Sequence, residues 1–441
     1  MTELAKQTPD VVVALDIGTT KVCCLAGRKN DHGKLEILGV GKVDSIGVLR
    51  GVVSNIEKTV KAIREAVELA ERQAGMKFHV VHVGIAGQHI KSLQHRGILT
   101  RDSDHTEIAS PDIDRLVNDM FKLVLPPGDK IIHVFPQEFT VDNEQGITDP
   151  IGMCGVRLEA NFHIITGQIT AINNIFRCVE KAGLKVADIT LEPIASSHSV
   201  LSEEEKQAGV ALVDMGGGTT DITIFQDGII RHTAVIPFGG NVITADIKEG
   251  CTVMQAQAEK LKQKFGSALA NEVIDNRIVT IPGLKGREHK EISEKNLVRI
   301  IQARMEEVLD YVLWEIRRSG YERKLIGGIV FTGGGSLLTN VDKLTEYHTG
   351  MSCRIGVPVE HLGHGYNERV CSPIYATALG LLLGGLEDLE HAGAPVFADE
   401  ARSDQQAPSN VSEEKSASWL ENIFQRTKEW FEAEPDMDFN K

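Results

Sequence analysis

Residues 11–15 form an unbroken apolar run that ends in Asp16-Ile17-Gly18-Thr19-Thr20. Such a run, closed by a glycine turn, predicts a buried strand. Residues 22–26 and 35–40 predict two more strands, separated by the turn Asn30-Asp31-His32-Gly33. Three successive strands make a meander, not the strand–helix crossover of a dinucleotide fold. Ile56, Val60, Ile63, Val67 and Ala70 then fall at helical spacing and predict an amphipathic helix. Residues 79–85 predict a further strand. From about 84 to 165 the texture changes to His, Asp, Pro and short β-like runs, as at 130–134 and 138–141, which predicts an inserted small α+β unit. Helical spacing returns at 171–182 and a strand pattern at 186–191.

The opening pattern then recurs. Residues 210–213 are apolar and end in Asp214-Met215-Gly216-Gly217-Gly218-Thr219-Thr220-Asp221, with strands predicted at 222–225 and 229–236 around the turn Asp227-Gly228. Two copies of strand, acid, Gly/Thr turn and strand, about 200 residues apart, mark an internal duplication. Helices are predicted at 252–265 and 297–316, the second with Leu297, Ile301, Met305, Val308, Val312 and Ile316 on one stripe. A third glycine turn, Thr332-Gly333-Gly334-Gly335-Ser336, follows a strand predicted at 326–331, and residues 376–386 close the core.

At 441 residues the chain has room for two to four folded units, and its 42% apolar content can supply their cores. The net charge of −15 argues against a general nucleic-acid binder, whose affinity rests on neutralising phosphates. The seven cysteines form no CxxC pair and read as buried thiols. His79, His82, His89, His95 and His105 show no regular ligand spacing. The first ten residues lack the apolar core of a signal peptide, and no 18-residue apolar run exists. Residues 387–441 hold 14 acidic and 5 basic residues, and 392–418 is rich in Ala, Pro, Ser and Gln, the composition of a disordered linker. After it, Trp419, Leu420, Ile423, Phe424, Trp430 and Phe431 share one helical face, with Ser418 and Glu421 placed for a capping box. A helix this short is marginal alone, and burial of its aromatic face in an interface would stabilise it. Its polar face is not basic, so membrane attachment would rest on the aromatic side.

The glycine turns carry the candidate chemistry. Gly18 lets backbone approach a ligand, and Thr19 and Thr20 add hydroxyls beside exposed N–H groups, a nest suited to phosphate. Lys21 can add a point charge. Asp16 and Asp214 can hold the hydration shell of Mg²⁺, which keeps several waters. Gly216, Gly217, Gly218 and Thr219 repeat the nest, so two turns could clamp a triphosphate from opposite sides. The chain has no GxxxxGK[ST] loop, and Gly216–Gly218 lacks GxGxxG spacing.

These motifs resemble those of the actin/sugar-kinase/DnaK-chaperone ATPase superfamily. Asp16-Ile-Gly-Thr-Thr and Asp214-Met-Gly-Gly-Gly-Thr-Thr-Asp are similar to its two phosphate loops, Glu192-Pro-Ile-Ala-Ser-Ser and Ala376-Thr-Ala-Leu-Gly to its two connecting motifs, and Thr332-Gly-Gly-Gly-Ser to its adenosine motif. The resemblance implies an α/β, actin-like two-lobed ATPase built from duplicated RNase H-like domains, with ATP and Mg²⁺ in the cleft. Asp16 and Asp214 would then organise Mg²⁺ through water, and Glu192 would orient an attacking water; these three are the catalytic candidates. Glu259 and Lys262 would hold ribose and adenine, Gly239 and Gly240 would approach the sugar, and Gly333, Gly334, Gly335 and Ser336 the adenosine.

The insert beginning Val83-Gly84-Ile85-Ala86-Gly87-Gln88-His89-Ile90 and the tail further resemble the FtsA family of bacterial cell-division proteins. That resemblance implies subdomain 1A at 1–84, 166–205 and 370–386; 1C at 85–165; 2A at 206–240 and 326–369; 2B at 241–325; a linker at 387–417; and a membrane-targeting helix at 418–433. It implies a peripheral protein on the cytoplasmic side of the inner membrane at the septum. Such a protein would polymerise with itself, bind the FtsZ C-terminal peptide on 2B, engage membrane lipids through the terminal helix and recruit later division proteins, with at most slow ATP hydrolysis. Two other readings stay open: a small-molecule kinase or ATPase, motivated by Glu192, and a pilus or shape scaffold of the same superfamily.

Overall fold

The computed structural model describes residues 5, 6, 8, 10–101, 107–283, 288–363 and 370–392. In the first lobe β1 (Val12–Ile17), β2 (Lys21–Lys29) and β3 (Leu35–Asp44) form an antiparallel meander. Helix α1 (Ile56–Ala74) starts at Asn55, whose side chain accepts from Lys58 N–H, and ends at Gly75 in the left-handed region. It returns the chain to β4 (Val80–Ile85), parallel to β1.

An inserted unit follows. β5 (Lys91–Thr100), α2 (Ser110–Phe121), β6 (Asp129–Val141), β7 (Glu144–Ile147) and β8 (Arg157–Gln168) make a four-stranded antiparallel sheet in the order β7-β6-β8-β5. Leu116 and Met120 of α2 pack with Phe162 and Ile164 of β8 in its core. The two short runs expected at 130–134 and 138–141 are one strand, β6, whose register slips once before and once after Pro136. Proline donates no ladder bond, so the strand accommodates it with an irregularity. Helix α3 (Ile169–Ala182) and β9 (Lys185–Leu191), parallel to β4, complete the first large sheet in the order β9-β4-β1-β2-β3.

Helices α4 (Glu192–Val200) and α5 (Glu203–Ala208) lead into the second lobe. There β10 (Val210–Met215), β11 (Thr220–Gln226) and β12 (Ile229–Ile236) repeat the meander. Next come α6 (Gly240–Gly250), α7 (Gln255–Phe265), a hairpin of Ile278–Ile281 with Lys290–Ser293, and α8 (Glu294–Ser319). β13 (Ile329–Thr332) lies parallel to β10; after α9 (Val341–Thr349), β14 (Cys353–Ile355) lies parallel to β13. The order β12-β11-β10-β13-β14 matches that of the first lobe strand for strand. The duplication read from two sequence motifs is thus a duplication of whole sheets. Helix α10 (Ala376–Ala392) packs back on β1 and β2.

The α8 stripe is fully buried at Leu297, Ile301, Met305, Val308, Val312 and Ile316, as its spacing predicts. Four expectations need correction. The helix expected over 252–265 begins at Gln255, after a turn in which Thr252 takes φ 49°. A separate helix, α6, begins at Gly240, within a glycine pair expected only to approach the sugar. The strand expected over 326–331 begins at Ile329, because Ile326 is 83% exposed and Gly328 turns the chain at φ 65°. Residues 387–392, expected in the linker, belong to α10, and the predicted helix with Trp419, Leu420, Ile423, Phe424, Trp430 and Phe431 lies outside the described residues. Among the described residues no helix is long and apolar enough to cross a membrane.

The insert also touches the second lobe. β12 is the edge of the second sheet, and an open edge leaves carbonyls unpaired. Side chains of the insert cover it: Ser92 Oγ donates to the Thr233 carbonyl (2.9 Å), Gln137 Nε2 to those of Ile230 (3.1 Å) and Arg231 (3.2 Å). His163 Nε2 lies 2.9 Å from Thr233 Oγ1, and Arg231 pairs with Glu138 at 3.0 Å. The unit inserted into lobe one therefore clasps the free edge of lobe two.

Candidate functional site

Asp16 and Asp214 stand one residue before the ends of β1 and β10, the equivalent central strands of the two sheets. Unbroken apolar runs bury those strands, so each carboxylate reaches the interlobe cleft as its strand runs out. The glycine turns beyond them meet. A methyl group on Gly217 would stand 2.2 Å from Thr20 Cγ2, and one on Gly218 2.6 Å from Thr19 Oγ1. Side chains at 217 and 218 would hold the two loops apart, which explains the glycines there. Thr19 Oγ1 accepts from Gly51 N–H at 3.1 Å, and the Thr20 carbonyl from Ser45 N–H at 3.0 Å. Gly216 N–H donates to the Thr219 carbonyl, closing the second turn.

The other predicted residues join this centre through hydrogen bonds or close packing. Gly240 N–H donates to the Gly216 carbonyl (3.0 Å) and Asn241 N–H to that of Gly217 (2.8 Å), which ties the start of α6 to the second turn. Lys262 Nζ reaches the Gly240 carbonyl (2.9 Å), Thr244 Oγ1 (2.7 Å) and Glu259 (2.9 Å), so Glu259 and Lys262 stand as a pair beside Gly239 and Gly240. Gly333, at φ 80°, lies against Asp214, and Ser336 Oγ caps the turn Gly333-Gly334-Gly335 by donating to the Gly333 carbonyl at 2.7 Å. Glu192 opens α4 and packs against Gly84. Every predicted site residue within the described chain is placed in this one region.

Charge dominates the centre. Burial, then the charges of Asp16, Asp221 and Asp214, pushes Glu192 well above the usual carboxylate range. Burial, then Asp214, pushes Asp221 up to about 8. Asp214 is raised by burial, against which a hydrogen bond from Ser196 works. Lys21 forms an ion pair with Asp16; although burial opposes its charge, that carboxylate holds its ammonium above the ordinary lysine range. Four carboxylates facing a single lysine are short of positive charge. Among the described residues no group of three or more His, Cys, Asp or Glu side chains is placed to ligate a metal directly; a divalent cation that keeps its waters would supply the charge, and hard carboxylate oxygens suit hydrated Mg²⁺.

Three contributors had no role assigned from sequence. Asp221 closes the second glycine-turn motif, and the hairpin register places it directly opposite Asp214, on the same face of the sheet. Its Oδ1 is buried without a partner, while Oδ2 accepts from Thr219 Oγ1 at 3.0 Å. Counting outward from the Gly217–Gly218 turn gives that pairing from sequence alone. Ser196 and Thr377 contact Asp214 from distant helices, and no spacing rule reveals such a contact.

Comparison with known proteins agrees with the motifs. A family model described as cell division protein FtsA matches residues 211–380, and a second, the SHS2 domain inserted in FtsA, matches residues 87–166. Cell division protein FtsA of Pseudomonas aeruginosa is 42% identical over 382 residues, covering 86% of this chain and 90% of that protein. The FtsA of Escherichia coli K12 is 35% identical over 386 residues, with the same coverage of each. Among solved structures, the PilM–PilN type IV pilus biogenesis complex matches with TM-score 0.62 at 16% identity, covering 85% of this chain and 98% of that one. MreB5 of Spiroplasma citri bound to ADP matches with TM-score 0.53 at 14% identity, covering 87% and 98%. The structural likenesses show an actin-like fold, the second family model shows that the insert is an SHS2 domain, and the sequence relatives establish the family: this chain belongs to the FtsA cell division proteins.

Proposed function

We propose that this chain is an ATP- and Mg²⁺-binding, filament-forming tether that links FtsZ filaments to the cytoplasmic membrane at the division septum. The observation that carries the nucleotide part is the meeting of two glycine turns from equivalent sheets over four carboxylates and one lysine. Backbone N–H groups of both turns and Lys21 would take the phosphates. Glu259 and Lys262 would take the ribose side, and Gly333–Ser336 the adenosine. Asp16 and Asp214 would hold Mg²⁺ through its waters. The bound cation would neutralise charge on the terminal phosphates. Glu192, crowded by like charges, would ionise as the cation arrives and could then orient a water.

In this reading residues 241–325 form subdomain 2B and dock the FtsZ C-terminal peptide, while the insert, 85–165 in subdomain 1C, serves self-assembly and recruitment of later division proteins. The aromatic face of the terminal helix supplies the membrane contact, and assembly multiplies many weak contacts into firm attachment.

Two measurements test it. Titration of the full chain with an ATP analogue should show affinity that rises with Mg²⁺, and Asp214→Asn should remove most of that rise. Co-sedimentation with phospholipid vesicles should recover the full chain and not one ending at Glu414. Equal recovery of both would remove the tether, and nucleotide affinity indifferent to Mg²⁺ and to Asp214→Asn would remove the site.

A further inference from the structure

Three serines of α4 are almost wholly buried, and two of them do what buried helical serines ordinarily do. Ser197 Oγ donates to the Ile194 carbonyl (2.7 Å), and Ser199 Oγ to the carbonyls of Ser196 (3.0 Å) and Ala376 (2.7 Å). Ser196 differs. Its hydroxyl turns to the other lobe and donates to Asp214 Oδ2 at 2.5 Å. Thr377 Oγ1, from α10, stands 3.1 Å from Ser196 Oγ and donates to the same carboxylate oxygen at 3.4 Å. On the opposite side the backbone of Gly333 closes in, where a methyl group would lie 2.3 Å from Asp214 Oδ1. The carboxylate therefore has one orientation, fixed by hydroxyls from the two helices that join the lobes.

Those helices are locked together. A methyl group on Gly380 of α10 would stand 1.7 Å from the Ala195 carbonyl of α4, so the two backbones touch one residue away from Ser196. A movement of one lobe against the other that shifts this crossing also shifts both hydroxyls relative to Asp214.

We propose that Ser196 and Thr377 are positioning residues for Asp214, which make the crossing of the two lobe-joining helices part of the cation site, so that Mg²⁺ affinity is set at the hinge. This rests on the reading of the cleft as a Mg²⁺–nucleotide site. Hydrogen bonds to a charged group are the strong ones, and a carboxylate that must compete with three others for one cation depends most on being held still.

The test uses the full chain and an ATP analogue titrated in EDTA and in Mg²⁺. Ser196→Ala should cut the Mg²⁺-dependent gain in affinity about tenfold, and Thr377→Val, the longer contact, about threefold. Both should leave affinity in EDTA unchanged. Ser196→Thr, which keeps the hydroxyl, should restore the gain, and Ser197→Ala should not disturb it. Thr377→Val keeps the volume of the side chain and so reports even if Ser196→Ala fails to fold. A full Mg²⁺ gain in both Ser196→Ala and Thr377→Val, or equal losses in EDTA and Mg²⁺, overturns the proposal. If Asp214→Asn also keeps the gain, the nucleotide reading itself falls; if Asp214→Asn loses it and the hydroxyl variants do not, only the positioning role falls.

Discussion

Gly333 illustrates how one residue serves both backbone and chemistry. Its φ of 80° favours glycine, and the space a methyl group would take is filled by Asp214 Oδ1 and the Met215 carbonyl. Gly333→Ala should cost about 1–3 kcal/mol through backbone strain and displace the Asp214 carboxylate. Chemical denaturation and Mg²⁺-dependent ATP-analogue binding should both register the change. Loss of stability without loss of the Mg²⁺ response would show that the carboxylate can be moved without harm. Asp221 makes the complementary point: a carboxyl pushed up to about 8 by burial, with one oxygen unpartnered, is costly in a resting fold, and a nearby cation would relieve that cost.

At the scale of elements, the clasp between insert and second lobe is a side-chain substitute for a missing strand. β12 would otherwise be an open edge, and Ser92, Gln137 and His163 cap its carbonyls and Thr233 one by one. Gln137→Ala leaves the carbonyls of Ile230 and Arg231 without that donor, which should cost about 1–3 kcal/mol. Hydrogen exchange should quicken in residues 229–236, and unchanged exchange there would mean the contact carries no stability. The helix α8 behaves more simply. Its Ser293 cap and fully buried stripe agree with its spacing, because one amphipathic period over 26 residues leaves little room for another arrangement.

For the whole molecule, two sets of buried groups give stability opposite slopes with pH. His82, His89, His133, His163 and His198 are each held down to about 4, in every case chiefly by burial. Above about 6.5 they cost nothing; as the pH falls towards 4 the unfolded chain takes protons the folded chain refuses, each at up to about 1.4 kcal/mol per pH unit. Asp188, raised to about 6 by burial, and Asp221, Glu192 and Asp214 act the other way. Their folded forms keep protons that the unfolded chain has released, so their contribution is lost as the pH rises through the folded values. Mg²⁺ with ATP should ionise the cleft carboxylates and leave the histidines less opposed. The melting temperature should then fall more steeply between pH 6.5 and 4.5 with Mg²⁺ and ATP than without, and identical slopes would contradict the coupling of cleft charge to ligand.

Local and repeated features were legible in the order of residues. The strand–acid–glycine turns, the meanders, the α8 stripe and the inserted unit are legible because period and turn chemistry act over a few residues, and because a duplication shows the same signal twice. That order missed the start of α6 at Gly240, since a glycine pair carries a loop signal whether or not a helix follows, and it split β6 at Pro136. That the insert covers the edge of β12, and that Ser196 and Thr377, 181 residues apart, grip one carboxylate, emerges only once the chain is folded. Such contacts arise where separate helices and lobes pack, and a hydroxyl facing a distant acid reads in sequence like one facing its own helix.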